Sequence, residues 1–207
     1  MKPFQSYRSL IKTTSGITAE TDSNWTFQID FLEGWLSRIS LYPKTDQVPD
    51  KTWMIAPEGD TPWEGSPKLS YDGFTCPDYQ VKELEEGLEI TCDHLNITLA
   101  KDQLRLSISQ KLDEEYVSAL EDRETGAYYL TNKGEAVRHY QNNPDTFRHF
   151  GLGDKSGPLD RTGRRYRVLQ MEALGYNAET SDPLYKHIPF VILQDKVTGG
   201  AIGLLYD

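Results

Sequence analysis

The chain has 207 residues, of which 37% are hydrophobic and 26% charged, a length that favours a single domain with one sizeable core. The composition is that of an ordinary water-soluble protein, and no apolar run nears membrane-spanning length, which excludes a membrane protein. Lys and Arg number 22 against 32 Asp and Glu, leaving a formal charge of −10; a surface of that sign repels phosphate backbones and argues against nucleic acid as a partner.

Cys76 and Cys92 are the two cysteines, too few to organise a chain of this size by disulfides, and the expectation is two reduced thiols with Cys92 in a core position. The N-terminal Met1-Lys2-Pro3-Phe4-Gln5 has neither an apolar h-region nor a small-residue cleavage site. A cytoplasmic chain follows as the expectation.

Along the chain the dominant signal is alternation with period two. Phe27, Ile29 and Phe31 face one way and Gln28 and Asp30 the other, and Trp35 to Tyr42 reads as a strand after them. Ala56 to Asp78 is a Pro- and Gly-rich excursion, expected at a sandwich end. Leu88, Ile90 and Cys92, then Leu95, Ile97 and Leu99, then Leu104, Leu106 and Ile108 alternate with polar residues across hairpin-sized separators. Residues 88 to 110 are therefore predicted as an antiparallel meander with one wet face. Lys111 to Glu124 is the best helix candidate, though charged nearly all round and equally readable as a solvated loop. Tyr166 to Gln170, Ile188 to Leu193 and Ala201 to Tyr206 read as further strands, the last two joined by the turn Gln194 to Gly200.

Charge is uneven. Asp78 to Thr125 holds 5 basic and 13 acidic side chains, a net −8, whereas Phe147 to Gln170 holds 6 basic and 2 acidic, a net +4. By residue type that basic stretch is a solvated face whose arginines pair with the acidic meander.

Several chemistries lack their residues. In Gly151-Leu152-Gly153-Asp154-Lys155-Ser156-Gly157, Ser156 occupies the third glycine position of a dinucleotide fingerprint, and Asp154 stands where a phosphate loop needs Gly before Lys-Ser. His94, His139, His149 and His187 have no metal-ligand spacing with one another or with the cysteines, so no metal and no cofactor is expected. No G-x-S-x-G elbow is present. The 4 Trp, 12 Tyr and 7 Phe are compatible with sugar-stacking platforms, but most lie in strand patterns where burial accounts for them; Trp53 and Trp63, in loop-rich sequence, are the exceptions.

Two stretches carry a family likeness. The run Phe150-Gly151-Leu152-Gly153-Asp154-Lys155-Ser156-Gly157-Pro158-Leu159-Asp160-Arg161, followed by Gly163-Arg164-Arg165-Tyr166, resembles the N-terminal β-sandwich of glycoside hydrolase family 31 α-glucosidases. There the phrase reads as an aromatic, Gly-Leu-Gly-Glu/Asp-Lys, a short basic turn and Gly-x-x-Tyr/Phe. Ala173-Leu174-Gly175-Tyr176-Asn177 and Thr180 to Phe190 are similar to the family's loop and returning strand, and the likeness covers about 60 residues between Phe147 and Tyr206.

The resemblance implies an all-β fold, an antiparallel two-sheet β-sandwich of galactose-mutarotase-like type with long loops, forming one N-terminal domain over residues 1–207. In the family this domain packs on an eight-fold βα barrel that follows in the chain and supplies an aspartate nucleophile and an aspartate general acid for retaining hydrolysis. The Asp-Met-Asn-Glu neighbourhood of that nucleophile is absent here, so no catalytic residue is expected in this chain. The strand at Ile202 to Asp207 falls where the family continues toward the barrel, which makes a domain fragment the expectation.

The resemblance also implies that a sandwich loop reaches over the barrel mouth and shapes the pocket for the terminal glucose. Here that loop is Gln170 to Pro183. Family members often place Asn-Thr-Asp-Ala at its start, with the aspartate on sugar hydroxyls; this sequence has Gln170-Met171-Glu172-Ala173, so Glu172 keeps the carboxylate one methylene further out. Tyr176, Asn177 and Asp182 are the other substrate-binding candidates, each equally suited by type to stabilising the loop or capping a turn.

The expected function is thus that of a non-catalytic domain of an α-glucosidase, with an α-glucoside or maltooligosaccharide and the barrel of the same polypeptide as partners. An uncovered barrel-facing patch would favour self-association of the isolated domain. The alternative is a stand-alone carbohydrate-binding β-sandwich without catalysis. A mutarotase-like epimerase would need a histidine and a carboxylate converging in the cleft, and the sequence declares no such pair.

Overall fold

The computed structural model describes residues 2–44, 50–131 and 136–207. Among them there is no helix, and every sheet is antiparallel. The chain divides into two compact units, Met1–Asn142 and Asn143–Asp207.

The first unit contains β1 (Lys2–Pro3), β2 (Tyr7–Lys12), β3 (Gly16–Thr21), β4 (Trp25–Glu33), β5 (Leu36–Pro43), β6 (Lys51–Thr52), β7 (Ser66–Pro67), β8 (Gln80–Leu84), β9 (Gly87–Cys92), β10 (Leu95–Ala100), β11 (Leu106–Leu112), β12 (Glu115–Glu121), β13 (Tyr128–Leu130) and β14 (Val137–His139). They form a four-stranded sheet β2-β3-β4-β5, a five-stranded sheet β12-β11-β10-β9-β8, a three-stranded sheet β1-β13-β14 and the ribbon β6-β7. In the two large sheets every strand pairs with its chain neighbour, as short connections require of antiparallel meanders.

The period-two pattern explains the core. Ile17 and Ala19 of β3, Phe27, Ile29 and Phe31 of β4, Ile90 of β9 and Ile97 and Leu99 of β10 are each 0% exposed. Tyr79, at the entry to β8, ties the sheets together: its ring stacks on Phe31 at 5.9 Å, and its hydroxyl donates to the Thr13 carbonyl at 2.6 Å and to the Gly16 carbonyl. Gly16 admits no side chain, because a Cβ there would fall 1.9 Å from the Ile29 carbonyl oxygen of the paired strand. As expected, Cys92 is a core residue, and burial pushes its thiol up to about 11, with Asp93 and Asp78 adding to the shift.

Two features of this unit differ from the pattern reading. Lys111 to Glu124 is neither helix nor loop: it is the end of β11 and all of β12, a hairpin turning at Asp113, whose φ is 53°. The polar residues there are simply the solvent side of a ladder, from Lys111 opposite Tyr116 to Ser107 opposite Glu121. The second difference is the polar side of β4, which is buried: Gln28 is 8% and Asp30 0% exposed. Asp30 Oδ1 accepts from Tyr71 and Gln28 at 2.9 Å each, and Oδ2 accepts from Arg38 Nη2 at 3.0 Å. Arg38 in turn donates to the carbonyls of Lys68, Leu69 and Ser70. The excursion between β5 and β8 is thus strapped over the sheet by a satisfied polar network.

The second unit is the sheet β15 (Phe147–Gly153), β16 (His187–Asp195) and β17 (Ala201–Leu205), in that order. A register shift between Gly151 and Gly153 bends β15 just before the chain leaves the sheet. Tyr166 to Gln170, predicted as a strand, is irregular: its alternation has no ladder to join, and the Arg167 N–H donates instead to the Asp182 carboxylate at 2.6 Å. On one face of β16, Ile188, Phe190 and Ile192 are 50%, 38% and 36% exposed, and Leu205, opposite Phe190 on β17, is 37% exposed. This apolar sheet face is only partly covered.

Candidate functional site

The segment 154–186, between β15 and β16, carries the family-like residues. Its organiser is Lys155, whose side chain is 1% exposed. The ammonium donates to the Arg167 carbonyl at 2.7 Å and to Asp182 Oδ1 at 3.4 Å, and lies 5.9 Å from the centre of the Tyr166 ring. A buried cation needs compensation of this kind, and it gathers three separate stretches of backbone around itself. Asp182 completes the clamp by accepting from the Arg167 N–H, while its own carbonyl accepts from the Arg167 guanidinium. Arg161 fixes the preceding turn through its Nη1, which donates to the carbonyls of Ser156, Gly157 and Pro158. The basic stretch therefore pairs locally, Arg148 with Asp160 at 3.8 Å and Arg167 with Asp182 at 3.9 Å.

His187, where the chain rejoins the sheet, has both ring nitrogens buried without a hydrogen-bond partner among the described residues. Burial holds its pKa below the usual imidazole value, and the positive Lys155 adds to the effect.

The four residues singled out from the sequence separate into two pairs. Asp182 is committed to the clamp. Asn177 is a turn builder: its Oδ1 accepts from the Glu179 N–H at 2.8 Å and its carbonyl from the Ser181 N–H at 3.1 Å. Glu172 is exposed and forms no hydrogen bond or ion pair among the described residues. Tyr176 is 53% exposed, its ring edge-on to Tyr185 at 6.4 Å. The loop thus leaves the Glu172 carboxylate and the Tyr176 phenol exposed, while Asn177, Ser181 and Asp182 are spent on its own shape. Lys155 stood inside the motif without an assigned role, and its position in a Gly-rich turn amid arginines was the available signal.

In the first unit, Asp122 and His139 meet at 2.6 Å, 17 residues apart, a pair no spacing rule identifies. Asp122 is fully buried in its side chain and also accepts from the Leu106 N–H at 2.8 Å, and the imidazole stacks flat on Tyr128 at 4.5 Å. Asp122 borders a shallow hollow of about 220 Å³ with Arg105 and Glu121, but His139 does not line it. The pair joins the end of β12 to β14, and its carboxylate is enclosed while the His139 side chain is 19% exposed. Among the described residues no group of three or more His, Cys, Asp or Glu is placed to hold a metal ion.

Residues 26–207 match the family described as the glycosyl hydrolase 31 N-terminal galactose mutarotase-like domain. The chain belongs to that family, and its all-β sandwich is the galactose-mutarotase-like fold. Among solved structures it is similar to a Flavobacterium johnsoniae GH31 dextranase complexed with isomaltotriose, with TM-score 0.72 and 22% identity over 94% of this chain and 23% of that one. It is also similar to the cycloalternan-forming enzyme from Listeria monocytogenes in complex with a pentasaccharide substrate (TM-score 0.69, 15% identity, 92% of this chain and 16% of that one). A third similar structure is the glucosidase II alpha subunit (TM-score 0.63, 14% identity, 99% of this chain and 27% of that one). The chain thus spans about a quarter or less of these enzymes. No curated protein matches it.

Proposed function

We propose that the chain is the non-catalytic N-terminal domain of a retaining α-glucosidase, in which the loop 170–183 closes over the terminal α-linked glucose held by a separate catalytic barrel. The observation that carries this reading is the division of labour within the loop. The clamp of the buried Lys155, Asp182 and the Arg167 main chain holds its limbs, while Glu172 and Tyr176 stay exposed with no side-chain hydrogen bond among the described residues. A preorganised loop with an uncommitted carboxylate is what recognition of sugar hydroxyls asks for. The part-exposed apolar face of Ile188, Phe190, Ile192 and Leu205 supports docking of this unit on another part of the same polypeptide.

The test is an assay with an aryl α-glucoside of the 207-residue chain and of the longer polypeptide. The chain alone should be inactive, and turnover by it would overturn the proposal. Glu172→Ala in the longer polypeptide should lower kcat/KM about tenfold, the worth of one charge-assisted hydrogen bond; an unchanged rate would remove the loop assignment.

A further inference from the structure

Trp53 and Trp63 lie outside the loop 170–183 and its clamp. They are 60% and 95% exposed and sit in an excursion closed at its base by β6 and β7, where Thr52 pairs with Ser66. Trp53 is held in place. Its Nε1–H donates to the Trp63 carbonyl at 3.0 Å. Gly65, at φ +77°, turns bare backbone toward the indole, where a Cβ would lie 2.8 Å from ring carbon Cε2. One edge is bonded, the ring plane is set by a contact only glycine permits, and much of the indole stays in water.

The chemistry around the indoles narrows the ligand. Positions 53 to 65 carry Glu58, Asp60 and Glu64 and no Lys or Arg. Carboxylates without cations repel anionic polymers and anionic membranes, and they accept hydrogen bonds from hydroxyl donors. A pyranose ring offers both complements, an apolar C–H face for the electron-rich indole and hydroxyls for the carboxylates. From this geometry we infer that Trp53 and Trp63 form a second saccharide-binding surface, made of residues other than those of the loop 170–183, that takes two units of a neutral α-glucan chain. Two indoles linked side chain to backbone provide two stacking positions, so an oligosaccharide binds where a monosaccharide does not. The choice of an α-glucan rests on the α-glucosidase reading above.

The experiment titrates the 207-residue chain with maltoheptaose, isomaltotriose and glucose, followed by tryptophan emission and calorimetry. The α-glucans should bind and glucose should not. Trp53→Ala and Trp63→Ala should each weaken binding about fivefold to tenfold, the range of one aromatic contact. Trp35→Ala, which removes another exposed indole (69%), should leave binding unchanged. Trp63 is almost wholly in solvent, so its removal leaves the fold intact. Absence of glucan binding by the unaltered chain, or equal binding by Trp63→Ala, overturns the inference. Turnover of an aryl α-glucoside by the longer polypeptide is a separate readout, because its absence defeats the α-glucosidase reading, whereas its persistence beside a failed titration defeats only the tryptophan surface.

Discussion

Lys155 and Asp182 meet at 3.4 Å with side chains 1% and 17% exposed, and that contact closes the base of the loop on which Glu172 and Tyr176 stand. Removing Asp182 strands a buried ammonium. Asp182→Ala should therefore destabilise the second unit by about 3 kcal/mol. All four tryptophans lie at or before position 63, so indole emission reports on the first unit. The measurement that sees the clamp is limited trypsin digestion, with faster cutting at Arg164, Arg165, Arg167 and Lys186 in Asp182→Ala and a similar effect in Lys155→Met.

The Asp30–Arg38 pair makes a matching claim on the first unit. Asp30 is fully buried and carries the Arg38 guanidinium, Tyr71 and Gln28. Asp30→Ala leaves a mostly buried guanidinium without its carboxylate and should cost about 3–5 kcal/mol. Urea unfolding followed by tryptophan emission should show a lower midpoint with little change in slope.

Acid should loosen the second unit. The pKa of His187 is lowered from 6.5, first by burial and then by Lys155, and that of His149 is lowered by burial against a weaker opposing pull from Asp160. A depressed histidine pKa means that the unfolded chain takes up protons before the folded one. The stability these residues contribute is complete above pH 6.5 and is lost as pH falls toward their folded values. Tryptic susceptibility of residues 154–186 should rise below pH 6.5, and His187→Gln should flatten that rise.

Thiol chemistry should separate the cysteines. Cys92 is 2% exposed with its thiol pushed up to about 11, whereas Cys76 is half-buried. At pH 8 a disulfide reagent should modify at most Cys76 in the native chain, and both only after denaturation.

How much of this was legible differs from residue to residue. Leu88 to Ile108 alternates cleanly and folds as β9, β10 and β11, because a meander's register follows from which residues are apolar. The strands β2 and β3 were missed, although Ile17, Ala19 and Thr21 alternate, because Thr, Ala and Glu in Gly16–Thr21 dilute the apolar contrast. The hairpin at Asp113 reads as a helix or a solvated loop because charges on both edges of a ladder mimic either one. The family phrase around Lys155 was visible as a string of residues, yet nothing in it says that the lysine is buried.

The sequence by itself determined the fold class, the apolar core faces and the family likeness, because these depend on residue type and on spacing along a strand, and it set Trp53 and Trp63 apart by their loop-rich surroundings. Only the tertiary structure decided that Asp182 and Asn177 build the loop while Glu172 and Tyr176 remain free, that Asp30 lies buried on the polar side of β4, and that Asp122 finds His139. The pairings of Asp182 with Lys155, of Asp30 with Tyr71 and of Asp122 with His139 join residues distant in the chain, where burial makes an unpartnered charge too costly to keep and the fold selects which partner arrives.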